Sequence, residues 1–275
     1  MRFVPDWLIY SLVLAAVLIG IFRTTPSDNA PPPPPEAMEQ EGALLGPASE
    51  LDERVLVEVG EPQTGIGTAF AINTSGQWLT ARHVVDGCDA LSLLVAPDRY
   101  LPIDAVRISN DSDLALLETP SRSLPVPLNT VEDLRVGTRG YHVGYPQGRP
   151  GEAAARLVSR SNLVSDGRRK GTESVLAWAE IGRTRGLTGS LGGLSGGPVF
   201  DADGRVRGVV IAESPRRGRI YTASPETVAG FLTALGVTPV SEQPRPIEPD
   251  SYGREADRAR RELQVVKVAC LVGAS

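Results

Sequence analysis

The sequence predicts an all-β fold, and three observations carry that prediction. From about residue 54 the apolar residues come in short runs rather than long amphipathic ones. Turn-forming clusters such as "NTSGQ" at 73–77 and "DADGR" at 201–205 separate those runs at close intervals. Helical periodicity is confined to two stretches near the end of the chain. Short strands at such spacing point to a barrel or a sandwich, and residues 51–237 are long enough for one large domain or two packed barrels.

Taken in order, the chain opens with a charge-free run at 7–22, "WLIYSLVLAAVLIGIF", preceded by Arg2 and followed by Arg23. A membrane-spanning helix needs roughly 17–25 residues, so residues 1–23 read as a marginal signal anchor or as a cleaved signal peptide. No small-x-small cleavage site follows, which favours the anchor; either reading exports the rest of the chain and places the domain outside the cytoplasm, in the periplasm if the source is Gram-negative. Residues 24–50 contain "APPPPPE" and no apolar periodicity. They are expected to be an extended, polyproline-rich tether.

The strand candidates follow: "VLVEV" at 55–59, "GTAFAI" at 67–72, "LSLLVA" at 91–96, "LALLET" at 114–119 and "YHVGY" at 141–145. "VLAWAEI" at 175–181, "PVFD" at 198–201, "VRGVVIAE" at 206–213 and "RIYTAS" at 219–224 continue the series. Ser224-Pro225-Glu226 then opens a helix that Gly236 stops. In the tail, 238–275, residues Tyr252, Ala256, Ala259, Leu263, Val266 and Cys270 recur at intervals of four and three. That stripe predicts a helix docking on the domain; the alternative is that "QVVKVACLV" pairs as an edge strand.

Charge and motifs narrow the function classes. A net charge of -5 and no long Lys/Arg run give no footprint for nucleic acid. "GIGTAF" at 65–70 lacks the third glycine of a dinucleotide loop, and neither C-x-x-C nor H-E-x-x-H occurs. No cofactor and no metal site are expected.

What stands out is "GGLSGGPVF" at 192–200, a serine set among four glycines. A serine hydroxyl is a weak nucleophile at neutral pH and needs a neighbouring base. The G-x-S-x-G pattern also fits the nucleophile elbow of α/β-hydrolases, but that fold places its histidine after the serine. Both histidines of this chain, His83 and His142, precede Ser195. His142 lies mid-strand, where packing explains it. His83 lies where the strand of "WLTARHVV" ends, and Asp113 sits directly before the apolar run of "SDLALLE". A carboxylate there can hold the imidazole in one tautomer. Asp111, in the preceding turn, reads as solvated.

"TARHVV", "DLALL" and "GLSGGPVF" together resemble the three signature blocks of chymotrypsin-like serine peptidases, in order. Supported by "GIGTAFAI", "GYPQG" at 144–148 and "ASPETVAGFL", the likeness is to the compact bacterial branch that includes the HtrA-type proteases. It spans about residues 51–237, and no PDZ module fits in 238–275. The resemblance implies a double β-barrel with a C-terminal helix and an endopeptidase acting on proteins or peptides. It implies catalysis by His83, Asp113 and Ser195, with the N–H groups of Gly193 and Ser195 as the oxyanion hole. Gly189 is expected on the floor of the specificity pocket, favouring small or medium apolar side chains; Glu213, at the end of the apolar run "VRGVVIAE", reads as solvated, with a place near the pocket mouth as the alternative. The family's digestive members carry an aspartate, and HtrA-type members often an asparagine, where this chain has Leu194. A protease-like binding module without turnover and an acyl hydrolase on the same fold are the competing readings.

Two cysteines remain. Exported domains sit where disulfides persist, so Cys88 and Cys270 are candidates for a bond that would tie the tail beside the histidine; two free thiols are the alternative.

Overall fold

The computed structural model describes residues 30–34, 41–131, 133–240 and 243–273. The charge-free run at 7–22, and with it the anchor reading, lies outside the described residues; among the described residues no helix is long and apolar enough to cross a membrane.

The described residues are mostly β, with two seven-stranded sheets and few helices among them. The first sheet contains β2 (Gly65–Ala71), β3 (Gln77–Ala81), β4 (Ala90–Ala96), β5 (Arg99–Pro102), β6 (Ala105–Ile108) and β7 (Leu114–Glu118). Its order is β5-β4-β14-β2-β3-β7-β6, where β14 is Val265–Leu271 from the far end of the chain. The two edge strands, β5 and β6, are separated only by Ile103 and Asp104. So short a link between opposite edges requires the sheet to curl round on itself.

The second sheet contains β8 (Arg139–Gly144), β9 (Gly151–Gly167), β10 (Gly171–Arg183), β11 (Pro198–Phe200), β12 (Val206–Ser214) and β13 (Arg219–Ala223). These six run β9-β10-β13-β12-β11-β8, and β8 pairs again with β9, so the sheet closes as a barrel. Strand β1 (Glu53–Val59) lies outside it, parallel to the distal half of β9. Closure by full pairing leaves few edges open. Trp178, Leu157, Leu176, Leu194, Val199 and Val210 fill the interior of this barrel.

Helix α1 (Pro225–Ala234) begins as its sequence predicts. The Ser224 hydroxyl accepts the Thr227 N–H at 3.2 Å, and Pro225 stands at the first helical position, where its missing N–H is harmless. The tail departs from the helical stripe. Helix α2 (Tyr252–Arg261) does bury Tyr252, Ala256 and Ala259, but Leu263 adopts φ 55° and ends the run. Val266 and Cys270 belong instead to β14, which is neither helical nor an edge strand: it is inserted between β2 and β4. The run "VVKV" is β-branched and suits a pleated surface, and the two neighbouring strands offer ladder groups on both sides. Tertiary pairing overrides the four-residue spacing.

Parts of the proline-rich segment also pack on the domain rather than hanging free. The Tyr252 hydroxyl donates to Pro31 O at 3.2 Å, Leu45 N–H to Leu134 O at 2.8 Å, and Arg160 Nε to Gly46 O at 2.8 Å.

Candidate active site

His83 occupies a one-turn 3-10 segment, Arg82–Val84, directly after β3. Asp113 immediately precedes β7, the strand paired with β3, so the ladder brings the two side by side. The contact is double: Asp113 Oδ1 accepts the His83 N–H at 3.0 Å, and Oδ2 lies 2.6 Å from Nδ1. Arg82 N–H donates to Asp113 O at 3.0 Å and locks the two turns together. Burial alone would lower the His83 pKa; the Asp113 carboxylate, by charge and by hydrogen bond, more than offsets this and leaves it raised. The ring keeps 41% of its surface, facing a cleft of about 520 Å³ that Ser195 also lines. With Nδ1 held by Asp113, Nε2 is the nitrogen turned away from the carboxylate. Asp111 is exposed in the turn before it.

The loop before β11 carries the serine, and its backbone is aimed by its carbonyls. Gly192 O accepts the Gln147 N–H at 2.6 Å, and Leu194 O accepts the Gly197 N–H at 2.9 Å. In a trans peptide the N–H points opposite to the preceding C=O, so the Gly193 and Ser195 N–H groups face the other way. Among the described residues neither donates to a protein acceptor. Thr68 of β2 ties the loop to the first sheet: its Oγ1 donates to Gly193 O at 2.7 Å and its N–H to Ser195 O at 2.8 Å. Gly193 has φ 96°, and a Cβ there would meet Tyr145 O at 2.5 Å; at Gly196, φ 84°, it would meet Thr68 O at 2.1 Å. Only glycine fits both. Leu194 is 1% exposed and plugs into the barrel core with Trp178, Val210 and Ile220.

A small hollow of about 20 Å³ lies beside Ser195, lined by Leu191, Leu194, Val210, Ala212 and Ile220 among others. Gly189 is not brought into it; that residue is exposed at φ 71°, with its carbonyl bonded to Arg183 Nη1 at 2.9 Å. Glu213 does reach the rim, as a hydrogen-bonded group: its carboxylate accepts the Leu191 N–H at 2.8 and 2.9 Å and the Ser190 hydroxyl. His142 is fully buried, edge-on to Trp178, and burial pushes its pKa down to about 3, so it stays neutral in the core.

Cys88, in the turn after His83, and Cys270 of β14 are joined by a disulfide with Cα atoms 5.4 Å apart. Among the described residues no His, Cys, Asp or Glu cluster is arranged to hold a metal ion. Sequence reasoning missed Gln147, Thr68 and Glu173. Gln147, inside "GYPQG", adopts φ 53° and spans the loop with its side chain as well, Nε2 donating to Thr188 O and Ser190 O at 2.7 and 2.8 Å. Polar residues in glycine-rich turns are too common for that role to be read in advance.

The "Probable periplasmic serine endoprotease DegP-like" of Halomonas elongata is 27% identical to this chain over 150 residues, 54% of the chain and 30% of the relative. The protein of the same description from Pseudomonas fulva is 30% identical over 177 residues, 64% and 33%. The chain spans about a third of the length of these relatives. Among solved structures, the active form of the Rv3671c protease from M. tuberculosis superposes with a TM-score of 0.52 at 20% identity, over 76% of this chain and 99% of that one. The HtrA-type protease AlgW with decapeptide gives 0.50 at 20% identity, over 62% and 51%. At those identities the likeness concerns the fold. A model of the trypsin-like peptidase domain matches residues 67–209, just over half of the sequence, and the chain belongs to that family.

Proposed function

We propose that the chain is an extracytoplasmic serine endopeptidase of the HtrA type. The observation that carries this is the double grip of Asp113 on His83 at the edge of the cleft that holds Ser195. Ser195 Oγ attacks the substrate carbonyl carbon while His83 Nε2 takes its proton, and Asp113 stabilises the resulting imidazolium. Negative charge moves onto the carbonyl oxygen, where the free N–H groups of Gly193 and Ser195 receive it. The imidazolium returns the proton to the departing amine, leaving an acyl-Ser195; a water, deprotonated by the same imidazole, releases the acid and restores the serine. In the free arrangement Ser195 Oγ and His83 share no hydrogen bond, a spacing that substrate tightens in enzymes of this kind.

The apolar hollow beside Ser195 takes a small aliphatic side chain before the scissile bond. Strand β11 covers β12 only up to Val209, so the edge from Ile211 to Glu213 is open for the peptide to pair as an added strand. The disulfide fits an oxidising compartment, and the run at 7–22 is the export segment, retained as a single-pass anchor or removed. The Pro-rich segment is accessory to the peptidase domain, whose core at 51–237 is completed by strand β14 of the tail.

A fluorophosphonate probe tests the reading: the parent chain is expected to be labelled once, at Ser195, while S195A and H83A remain unlabelled. A parent that folds and does not react would assign the fold to binding instead.

A further inference from the structure

The hairpin of β9 and β10 reaches across to the first sheet. Arg168 Nη2 pairs with Asp86 Oδ2 at 3.1 Å, and Arg169 Nη2 donates to Asn110 O and Ser112 O at 3.2 and 3.3 Å. Glu173 makes a third contact: its Oε2 accepts the N–H of Asp113 at 2.8 Å. The arginines satisfy carbonyls and a carboxylate. Glu173 does something that positioning alone does not require, since it brings a second carboxyl group against Asp113. A serine, glutamine or backbone carbonyl would accept the same N–H without the charge. Moreover, its other oxygen, Oε1, is shut off from solvent and has no hydrogen-bond partner among the described residues.

We propose that Glu173 is a positioning residue of the triad whose ionised carboxylate, held on the Asp113 backbone, adds the negative charge that stabilises the His83 imidazolium. The proposal rests on the peptidase reading above only for its effect on rate. The groups facing Glu173 are Asp113 from the loop before β7 and Arg169 from its own hairpin, with His83 reached through Asp113; Arg82, on the His83 turn, is engaged by Asp86 and by Ser109 O. Burial pushes the Glu173 pKa up to about 7; its hydrogen bond to the Asp113 N–H opposes this, the Asp113 charge adds to it and Arg169 opposes it. The charge therefore switches on around neutral pH.

The chain contains two histidines, and His142, with its pKa near 3, is silent at neutral pH. An NMR pH titration of the imidazoles thus reads His83 alone. E173Q is expected to lower the His83 midpoint by about 0.5–1 unit, the direction that loss of a nearby negative charge dictates. It should also reduce kcat at pH 8 roughly three- to tenfold with KM unchanged, as for an interaction made only in the transition state. E173D, which keeps the charge, should restore the parent midpoint, and E173A should behave as E173Q with a lower Tm. A purely structural role would move Tm and leave the midpoint where it is. An unchanged midpoint in folded E173Q, or one equally lowered in E173D and E173Q, overturns the proposal. A lowered midpoint in E173Q, combined with a parent that neither cleaves peptides nor takes a fluorophosphonate, refutes the peptidase reading and not this one.

Discussion

The serine loop and the His83–Asp113 turns face each other across one cleft, yet different physics holds them. The loop, residues 189–197, is fixed by backbone hydrogen bonds, by two left-handed glycines against carbonyl oxygens and by the buried Leu194 plug. The opposing turns are fixed by charge, through Asp113 on His83, Arg82 and Arg168 on Asp86, Arg169 on two carbonyls, and Glu173 on Asp113. Shape specifies where Ser195 and the N–H groups of Gly193 and Ser195 stand. Charge specifies how readily His83 accepts a proton. Volume changes should therefore disable the first region, and changes of charge or pH the second.

The largest effect should come from the charged side. D113N leaves the fold intact but offers His83 an amide, favouring the wrong tautomer, and kcat should fall about 10⁴-fold. Steady-state kinetics on a peptide substrate, with a matched circular dichroism spectrum, checks it; a loss below tenfold would mean that Asp113 does not serve His83. On the other side, G193A forces a Cβ towards Tyr145 O and tilts one of the two free N–H groups away. Its kcat should drop by about 10²–10³, with KM little changed.

Truncating the plug sharpens the distinction. L194A removes a fully buried side chain from the barrel core and should lower stability by about 2–5 kcal/mol in denaturant unfolding. At temperatures where it remains folded, the pH profile should keep its parent midpoint, because no charge has moved. That midpoint provides the fourth test. A raised His83 pKa means the imidazole stays protonated, and inactive as a base, to a higher pH than a free histidine does. The acid limb of kcat/KM should therefore have its midpoint above about 6.5; a midpoint below it would contradict the pairing with Asp113. Smallest of all, R168A removes a half-exposed ion pair with Asp86, and stability should change by no more than about 1 kcal/mol. A larger loss would mean that the hairpin, and not Asp113 alone, holds the His83 turn.

The local settings of the proposed catalytic residues were legible because turn and strand signals act over a few residues. His83 ends a strand, Asp113 opens one, and Ser195 sits between glycines; each block carries its own turn signals. Gly189 shows the limit: the resemblance implied a place on the pocket floor, whereas the residue is exposed and its carbonyl is bonded to Arg183. Glu213 looked solvated at the end of an apolar strand, but the N–H of Leu191, supplied by a loop more than twenty residues away in sequence, captures it.

By itself the sequence determined the strand runs, the capped helix α1, the order of histidine, aspartate and serine, and the positions where a side chain cannot be accommodated. Those features depend on periodicity and on backbone preference, which act within a few residues. Only the tertiary structure decided that Val265–Leu271 is a strand inside the first sheet, that Glu173 stands behind Asp113, and that Cys88 meets Cys270 across a separation of 182 residues. A segment of seven residues carries no record of which unpaired ladder will accept it, and hydrogen-bond demand from distant strands outweighed the helical spacing of the tail.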